Sequence, residues 1–415
     1  MAAYAAAKNG HRVLLFEKNE KLGKKIYITG KGRCNFTNAC SPEEFLQNVV
    51  RGKKFLMSSI YTFPPQKTLD FFKNNGLAVK IERGNRAFPV SDKASDITKI
   101  LEKCCKNQGV EVHLNEKVLK INTTMSNIIP MSDVDGGAMT NIIPMSRVVK
   151  LITEHSEYFC DEIIIATGGV SYPTTGSTGD GYVFATECGH TVSDIKSALC
   201  GLDLEGDWFH DLQGLTLKNV AFSVKNSGKT VVDEFGELLF THFGVSGPIV
   251  LTASSLINRL PLPLLSVSLD LKPALDEQTL DKRLLRDFEK FKNKQIINAL
   301  CELLPQRLIP IVLRAAGVSV TKPVNVLTKA ERQRLVLVIK GLPMKVKGLR
   351  RIEEAIVTSG GVNLDEVNPK TMESKKIKGL RFCGEVLDVD AFTGGFNLQI
   401  AFATGYMAGN GIQTE

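Results

Sequence analysis

Glu17 closes the apolar run His11 to Glu17 (HRVLLFE), and its position is the first in this chain that suggests chemistry. An alanine-rich stretch, Ala2 to Lys8, precedes it and reads as a helix stopped by Asn9 and Gly10. Helix, glycine, strand, acid is the second half of a βαβ dinucleotide-binding unit, whose acid accepts hydrogen bonds from a ribose hydroxyl. Ala3, Gly10, Val13 and Glu17 fill the register of FAD-binding units without a slip. Counting back four from Ala3 puts the last glycine of the phosphate-binding G-x-G-x-x-G ahead of Met1. The register therefore expects a strand and glycine turn, roughly 15 residues, before this start. A solvated charge after an ordinary strand is the alternative for Glu17.

Three further groups could meet such a cofactor. The loop Gly30 to Asn38 (GKGRCNFTN) has two glycines, Gly30 and Gly32, that let backbone approach a ligand. Its Arg33 offers a planar donor for phosphate or a ring edge, and Lys24 and Lys25 just upstream can neutralise pyrophosphate. A solvated basic loop is the plainer reading. Ala166 to Gly169 (ATGG) follows a strand-like run, where tight glycines bring backbone to the carboxyl edge of a sheet. Gly384 and Glu385, then Asp388 and Asp390, then Thr393 to Phe402 with Gly394 to Leu398 at its start, form the second strong constellation. An acid there suits ribityl hydroxyls, and free N–H groups at a helix start suit flavin O2 and N1. The alternative is a glycine-rich turn with solvated acids; recurrence with Glu17 and ATGG makes FAD the reading.

A flavin carries the hard chemistry itself, so no protein nucleophile is required. The sequence then expects a donor to reduce FAD and flavin N5 to pass hydride to substrate, or dioxygen to reoxidise it. His242 and Tyr172 are candidate proton donors, against a structural histidine and an ordinary loop tyrosine. Cys34 has its nearest cysteine at Cys40, so a small residue packed near the flavin is preferred to a redox disulfide. The nine cysteines show no C-x-x-C pair and no metal-ligand spacing, which fits a reducing cytoplasm.

These motifs resemble the bacterial HI0933-like flavoprotein family. The likeness runs through Glu17 to Lys25 with Gly30 to Asn38, Phe88 to Asp96, Ala166 to Gly169 with Ser171 to Pro173, Thr241 to Pro248, Ser359 to Val362 and Gly384 to Asp390. It implies an α/β fold: a Rossmann-like FAD-binding domain of the glutathione-reductase type, with an inserted β-barrel-like plus helical domain. It also implies a cofactor set of Glu17, Lys18, Lys24, Lys25, Gly30, Gly32, Arg33, Cys34, Asn35, Val118, Ala166, Thr167, Gly168, Gly169, Gly384, Glu385, Asp390, Gly394, Gly395, Asn397 and Leu398. The activity implied is NAD(P)H-driven reduction of an activated C=C bond, in a 3-oxo-Δ4 steroid of the bile-acid type. An amine oxidase using dioxygen and a flavin-bearing RNA-interacting protein are the alternatives.

The elements that must position these residues follow from length and pattern. A chain of 415 residues suggests about two to three domains. With 43% hydrophobic and 23% charged residues it is neither disordered nor collagenous. Residues 1–193 and 348–415 read as the FAD-binding domain, and 194–347 as the insert, β-rich and then helical. No second glycine fingerprint appears, so nicotinamide must reach the flavin through an open cleft. The segment Asn127 to Ser132 recurs as Asn141 to Ser146, a duplication that enlarges a surface hairpin. Leu251 to Leu271, the longest apolar candidate, is broken by Asn258, Arg259, Pro261 and Pro263, so no membrane span is expected. The net charge of +8 suits an anionic ligand. The basic runs Lys345 to Arg351 and Lys375-Lys376 lack interleaved aromatics, so a small-molecule substrate is preferred to nucleic acid.

Overall fold

Short apolar strands pair in parallel in the first unit of this computed structural model, in which residues 1–126 and 145–412 are described. That unit comprises Met1–Lys196 and Ile352–Glu415. Strand Leu14–Glu17 runs parallel to Glu111–Leu114, and Ile163–Ile165 runs parallel to Leu380–Phe382. Parallel pairs need crossovers that place helices over the sheet, so apolar residues follow one another along such strands. Ile163, Ile165, Leu380 and Phe382 are all buried.

The alanines of helix Ala2–Lys8 have a packing cause. A Cβ on Gly409 of the last helix, Phe396–Asn410, would lie 2.2 Å from the Ala2 carbonyl oxygen and 2.8 Å from the Ala6 nitrogen. Small residues on both helices let the two backbones touch. Phe72 packs edge-on against Phe36 and Phe402, and Phe45 against Phe396, which ties the last helix to helices Pro42–Gln47 and Pro65–Asn74 and to the loop that carries Phe36.

Val118–Ser126 and Met145–Thr153 form an antiparallel pair. Glu157–Phe159 and Ile377–Lys378 also pair with Met145–Thr153, in antiparallel and parallel sense respectively. Apart from Met145 and Ser146, the duplicated segment lies outside the described residues.

His190 is buried in this unit between Ser374 and Glu366. Ser374 Oγ accepts the backbone N–H groups of Lys376 (2.9 Å) and Ile377 (2.8 Å), so its own proton points to His190 Nε2 at 2.8 Å. The neutral imidazole then carries its proton on Nδ1, 3.1 Å from Glu366 Oε2 but off the line of a full hydrogen bond. Glu366 also accepts from Lys376 and Thr191. Burial, opposed by Glu366 and aided by Lys376, holds the His190 pKa below its ordinary value. The unfolded chain takes up this proton near pH 6.5, so the folded state loses stability as pH falls from about 6.5 through the lower folded value. Melting temperature should therefore drop between pH 7.5 and 5.5, and drop less in His190→Gln. Paired carboxylates act in the same direction, so the comparison with the variant is the readout; equal drops would refute the role of His190.

The second unit, Ser197–Arg351, is built on a seven-stranded sheet. Its order is Leu342–Met344, Leu265–Asp270, Thr216–Asn226, Lys229–Thr241, Gly244–Ser246, Leu202–Leu204 and Val346–Leu349, with every pairing antiparallel. The β-rich insert is thus an open sheet edged by Leu342–Met344 and Val346–Leu349, without barrel closure among the described residues. Helices Glu277–Lys290 and Lys329–Lys340 follow the strand Leu265–Asp270. Leu280, Leu284 and Phe288 bury one face of the first, and Leu335, Val336 and Ile339 one face of the second. Asp276 caps the first through the Thr279 N–H at 2.6 Å, and Thr328 with Glu331 forms a capping box on the second. Among the described residues no helix is long and apolar enough to cross a membrane.

Candidate functional site

The carboxyl ends of the parallel strands Ile163–Ile165 and Leu380–Phe382 run into two glycine turns, and the candidate site in the first unit is built on them. Gly168 (φ +73°) and Gly384 (φ +75°) both take the left-handed conformation that L side chains disfavour. Gly169 has no space either, since a Cβ there would lie 2.3 Å from Thr358 Oγ1.

Glu385 is the centre of this site. Its Oε2 accepts from Lys25 Nζ at 2.7 Å, and its Oε1 from the Thr358 backbone N–H at 2.8 Å. Ser171 Oγ bridges the pair, accepting from Lys25 Nζ at 2.8 Å and reaching Glu385 Oε1 at 3.4 Å. Thr358 Oγ1 in turn accepts the Val170 N–H at 3.0 Å. Three other segments thus converge on one carboxylate, which keeps a fifth of its side chain exposed.

A second cradle lies at the start of the helix Phe396–Asn410. Gly394 (φ +131°) and Gly395 (φ +93°) precede it, and Asn38 Nδ2 donates to the Gly394 carbonyl at 3.0 Å. A Cβ on Gly395 would come within 2.4 Å of the Thr37 carbonyl oxygen and 2.8 Å of Asn35 Oδ1. Thr37 Oγ1 donates to Gln399 Oε1 at 2.7 Å, and Gln399 Nε2 to the Phe63 carbonyl at 2.9 Å, so the loop is fixed against the helix. Asn35 Oδ1 is buried there without a hydrogen-bond donor. An unsatisfied buried acceptor costs about 1–3 kcal/mol. A ligand that brings an N–H or O–H to a helix start would remove that cost, and a flavin has both kinds of group. The residues present fit FAD.

Other predicted site residues divide by their partners. Lys18 donates to Thr178 and Asp180, and Glu17 Oε1 accepts from the Asn19 N–H (2.9 Å) and Nδ2 (2.7 Å). Asn19 Nδ2 reaches the Thr175 carbonyl at 3.2 Å, so Glu17 and Lys18 both face the loop Pro173 to Asp180. Lys24 is held by Glu20 (3.0 Å) and Asn19 (3.3 Å). Arg33, expected to offer its fork to phosphate, instead gives it to Glu82 and to Asp92 (2.7 Å), with the Phe88 ring 4.4 Å away. Those carboxylates raise the Arg33 pKa, and Arg33 with Lys80 lowers theirs. Asn397 closes on Ala391, accepting its N–H at 3.0 Å and donating to its carbonyl at 2.7 Å, which fixes the preceding loop. Asp390 is fully buried and accepts from Ser359 Oγ at 3.2 Å. Val118 begins a meander strand, and Val118 and Leu398 pack on the core. Ala166 and Thr167 lead into Gly168, and a Cβ on Gly181 would meet Thr167 Oγ1 at 2.1 Å. Gly30 (φ +60°) and Gly32 (φ +85°) shape the loop that carries Cys34 and Asn35.

Cys34 is fully buried, and burial pushes its thiol up to about 12. Neither Cys34 nor Cys40 is in a disulfide. Tyr172 stands in a left-handed conformation (φ +51°), and its carbonyl accepts from the Thr175 N–H (2.9 Å) and Oγ1 (2.7 Å). His242 belongs to the other unit, exposed, with its ring edge-on to Phe243. Sequence reasoning missed the linking roles of Ser171 and Thr358, and the bidentate grip of Arg51 on Asp388 (2.8 and 2.9 Å) that Ser193 Oγ joins at 2.9 Å. Ser171 had a signal as part of a family motif, and Asp388 as part of the run Gly384 to Asp390; Thr358, Arg51 and Ser193 had none.

A family model described as the HI0933-like protein Rossmann domain matches residues 1–411. A 3-dehydro-bile acid delta(4,6)-reductase of Clostridium scindens is 28% identical over 99% of this chain and 95% of its own length. A ribosomal RNA dihydrouridine synthase of Escherichia coli is 30% identical over 97% of this chain and 92% of its own length. Among solved structures, a 3-ketosteroid delta1-dehydrogenase of Sterolibacterium denitrificans has the same fold at TM-score 0.50 and 12% identity, covering 99% of this chain and 96% of that one.

Proposed function

The chain belongs to the HI0933-like Rossmann-domain family and is a flavoprotein oxidoreductase; from that premise we propose that it reduces a C=C bond conjugated to a carbonyl group, with NAD(P)H as donor. The observation that carries the reading is the pair of cradles in one unit, Glu385 with Lys25 on one hand and Gly394-Gly395 beside Asn35 on the other. FAD, when bound, supplies hydride transfer. Glu385 would accept from ribityl hydroxyls, with Lys25 compensating its charge. Asn35 Oδ1 would accept from the ring system, and the helix start at Phe396 would offer N–H groups to its polar edge. Cys34, kept as a neutral thiol, packs and does no redox work.

The substrate bond follows from what two relatives' names have in common. Reducing a bile-acid Δ4,6 system and forming dihydrouridine both add two hydrogens to a C=C bond conjugated with a carbonyl. A 3-oxo-Δ4 steroid of the bile-acid type is the first substrate to test. The uracil ring of RNA is the second, favoured by where the positive charge lies. The 155 residues of the second unit hold 22 Lys and Arg against 15 Asp and Glu, +7 of the chain's +8.

Stopped-flow absorbance of the FAD-loaded protein tests the reading. NADH or NADPH is mixed anaerobically, and an enone steroid or a uridine-containing RNA is then added. Recovery of the oxidised flavin band with either, at a rate dependent on acceptor concentration, is the expected result. Recovery with dioxygen alone would leave an oxidase and end the reductase reading.

A further inference from the structure

Within the second unit the charge is concentrated further. Residues 276–340, the helical part, hold 13 Lys and Arg against seven Asp and Glu, an excess of +6. We propose that this helical surface is an RNA-docking face, which rests on the reductase reading in its second form, with the uracil ring as acceptor.

Several contacts join the cations into one surface. Arg332 of helix Lys329–Lys340 holds Asp281 of helix Glu277–Lys290 (2.7 Å), which joins the two helices at the turn that carries Lys282. The Val324 N–H donates to the Lys294 carbonyl at 3.0 Å, and Lys322 Nζ reaches Glu331 at 2.7 Å, which brings Lys294 and Lys322 next to the start of that helix and to Lys329. Lys282, Lys290, Lys292, Lys294 and Lys329 are exposed. Lys282, Lys294 and Lys329 have no carboxylate within salt-bridge distance among the described residues. Five of the seven acids of the region are in ion pairs: Asp281 with Arg332, Asp287 with Arg283 and Arg286, Glu289 with Lys292, Glu302 with Lys290 and Glu331 with Lys322.

A favourable helix end accounts for Lys290 at the carboxyl turn, but Lys292 and Lys294 lie beyond it in the loop. A small anion needs donors that converge, whereas these are spread along two helices and the connecting segment. That layout suits a chain of phosphates, each site adding a small salt-sensitive increment. The aromatic absent from the other basic runs is present here, since Lys290 and Lys294 flank the half-buried ring of Phe291 at 4.8 and 4.9 Å. The choice of RNA over another polyanion comes from the E. coli relative, which aligns over 97% of the chain and so through this region.

Fluorescence anisotropy of a labelled RNA hairpin with loop uridines, titrated with FAD-loaded protein from 50 to 300 mM KCl, tests the proposal. The triple variant Lys282→Glu, Lys294→Glu, Lys329→Glu should bind at least tenfold more weakly at 100 mM KCl. Its log–log salt slope should be shallower by about 2–3, close to one per lysine. The control Lys345→Glu, Lys347→Glu on the sheet edge should change affinity less than threefold. Thermal melts of both variants check that folding is kept. Three outcomes would each overturn the proposal: no wild-type binding at 50 mM KCl, equal binding by the triple variant, or binding to anionic phosphatidylglycerol vesicles but not to the hairpin. NADH-driven reduction of a free small enone is measured in parallel. Its persistence in the triple variant, or its absence alongside intact RNA binding, separates failure of this proposal from failure of the reductase reading.

Discussion

Glu385→Ala should purify without colour and bind FAD about 100-fold more weakly than the wild type, by quenching of FAD fluorescence. A hydrogen bond to a charged group contributes about 1.5–3 kcal/mol, and about 2.7 kcal/mol corresponds to a factor of 100. The same substitution strands Lys25, whose ammonium now faces Ser171 alone in a pocket only a quarter exposed. Breaking a fully buried pair costs about 3–5 kcal/mol, and partial exposure brings this one to about 1–3. The apoprotein should therefore also melt earlier, and the two effects must be separated. Glu385→Gln keeps an oxygen for the Thr358 N–H and removes only the charge, so it should recover most of the melting temperature and little of the FAD affinity. Lys25→Met should destabilise by leaving the carboxylate uncompensated while keeping measurable FAD binding. If Glu385→Ala lowers the melting temperature and leaves FAD affinity unchanged, the carboxylate only holds loops together.

Gly395→Ala is expected to have the second large effect. An alanine at φ +93° carries about 1–3 kcal/mol of backbone strain. Its Cβ would also press within 2.4 Å of the Thr37 carbonyl oxygen, an atom of fixed backbone that cannot rotate away. Relief requires moving the loop that carries Asn35 off the helix start, which displaces the orphan acceptor from the cradle. Loss of stability and loss of FAD binding should therefore come together. Gly76 supplies the control, because it has the same φ of +93° and a Cβ there would meet nothing within 4 Å. Gly76→Ala should show the strain alone, with FAD affinity intact. Equal melting temperatures and equal FAD affinities for the two variants would mean that contact at Thr37 is unimportant.

Much of this was legible in local pattern. Ala3, Gly10, Val13 and Glu17 announced a helix and a strand, and both form, with Glu17 as the last strand residue. The glycines at 168, 384, 394 and 395 marked turns, and all four have positive φ. Such features depend on a few neighbouring residues, through steric limits on φ and the repeat of helix or strand. The β-rich character of the insert was readable too, but not its closure, since a run of short strands suits an open sheet and a barrel equally.

Ion pairing was the part that local pattern could not supply. Lys25 meets Glu385 across 360 positions, and Arg33, which looked free for phosphate, is taken by Glu82 and Asp92. Asn397 looked like part of a cofactor cradle and closes on Ala391. By itself the sequence determined the family, the dinucleotide-binding α/β class and the positions of the turns, because those are written in spacing and side-chain size. Only the tertiary structure decided which charges face which, since a cation's partner depends on loops brought together by packing between segments that lie from 49 to 360 residues apart.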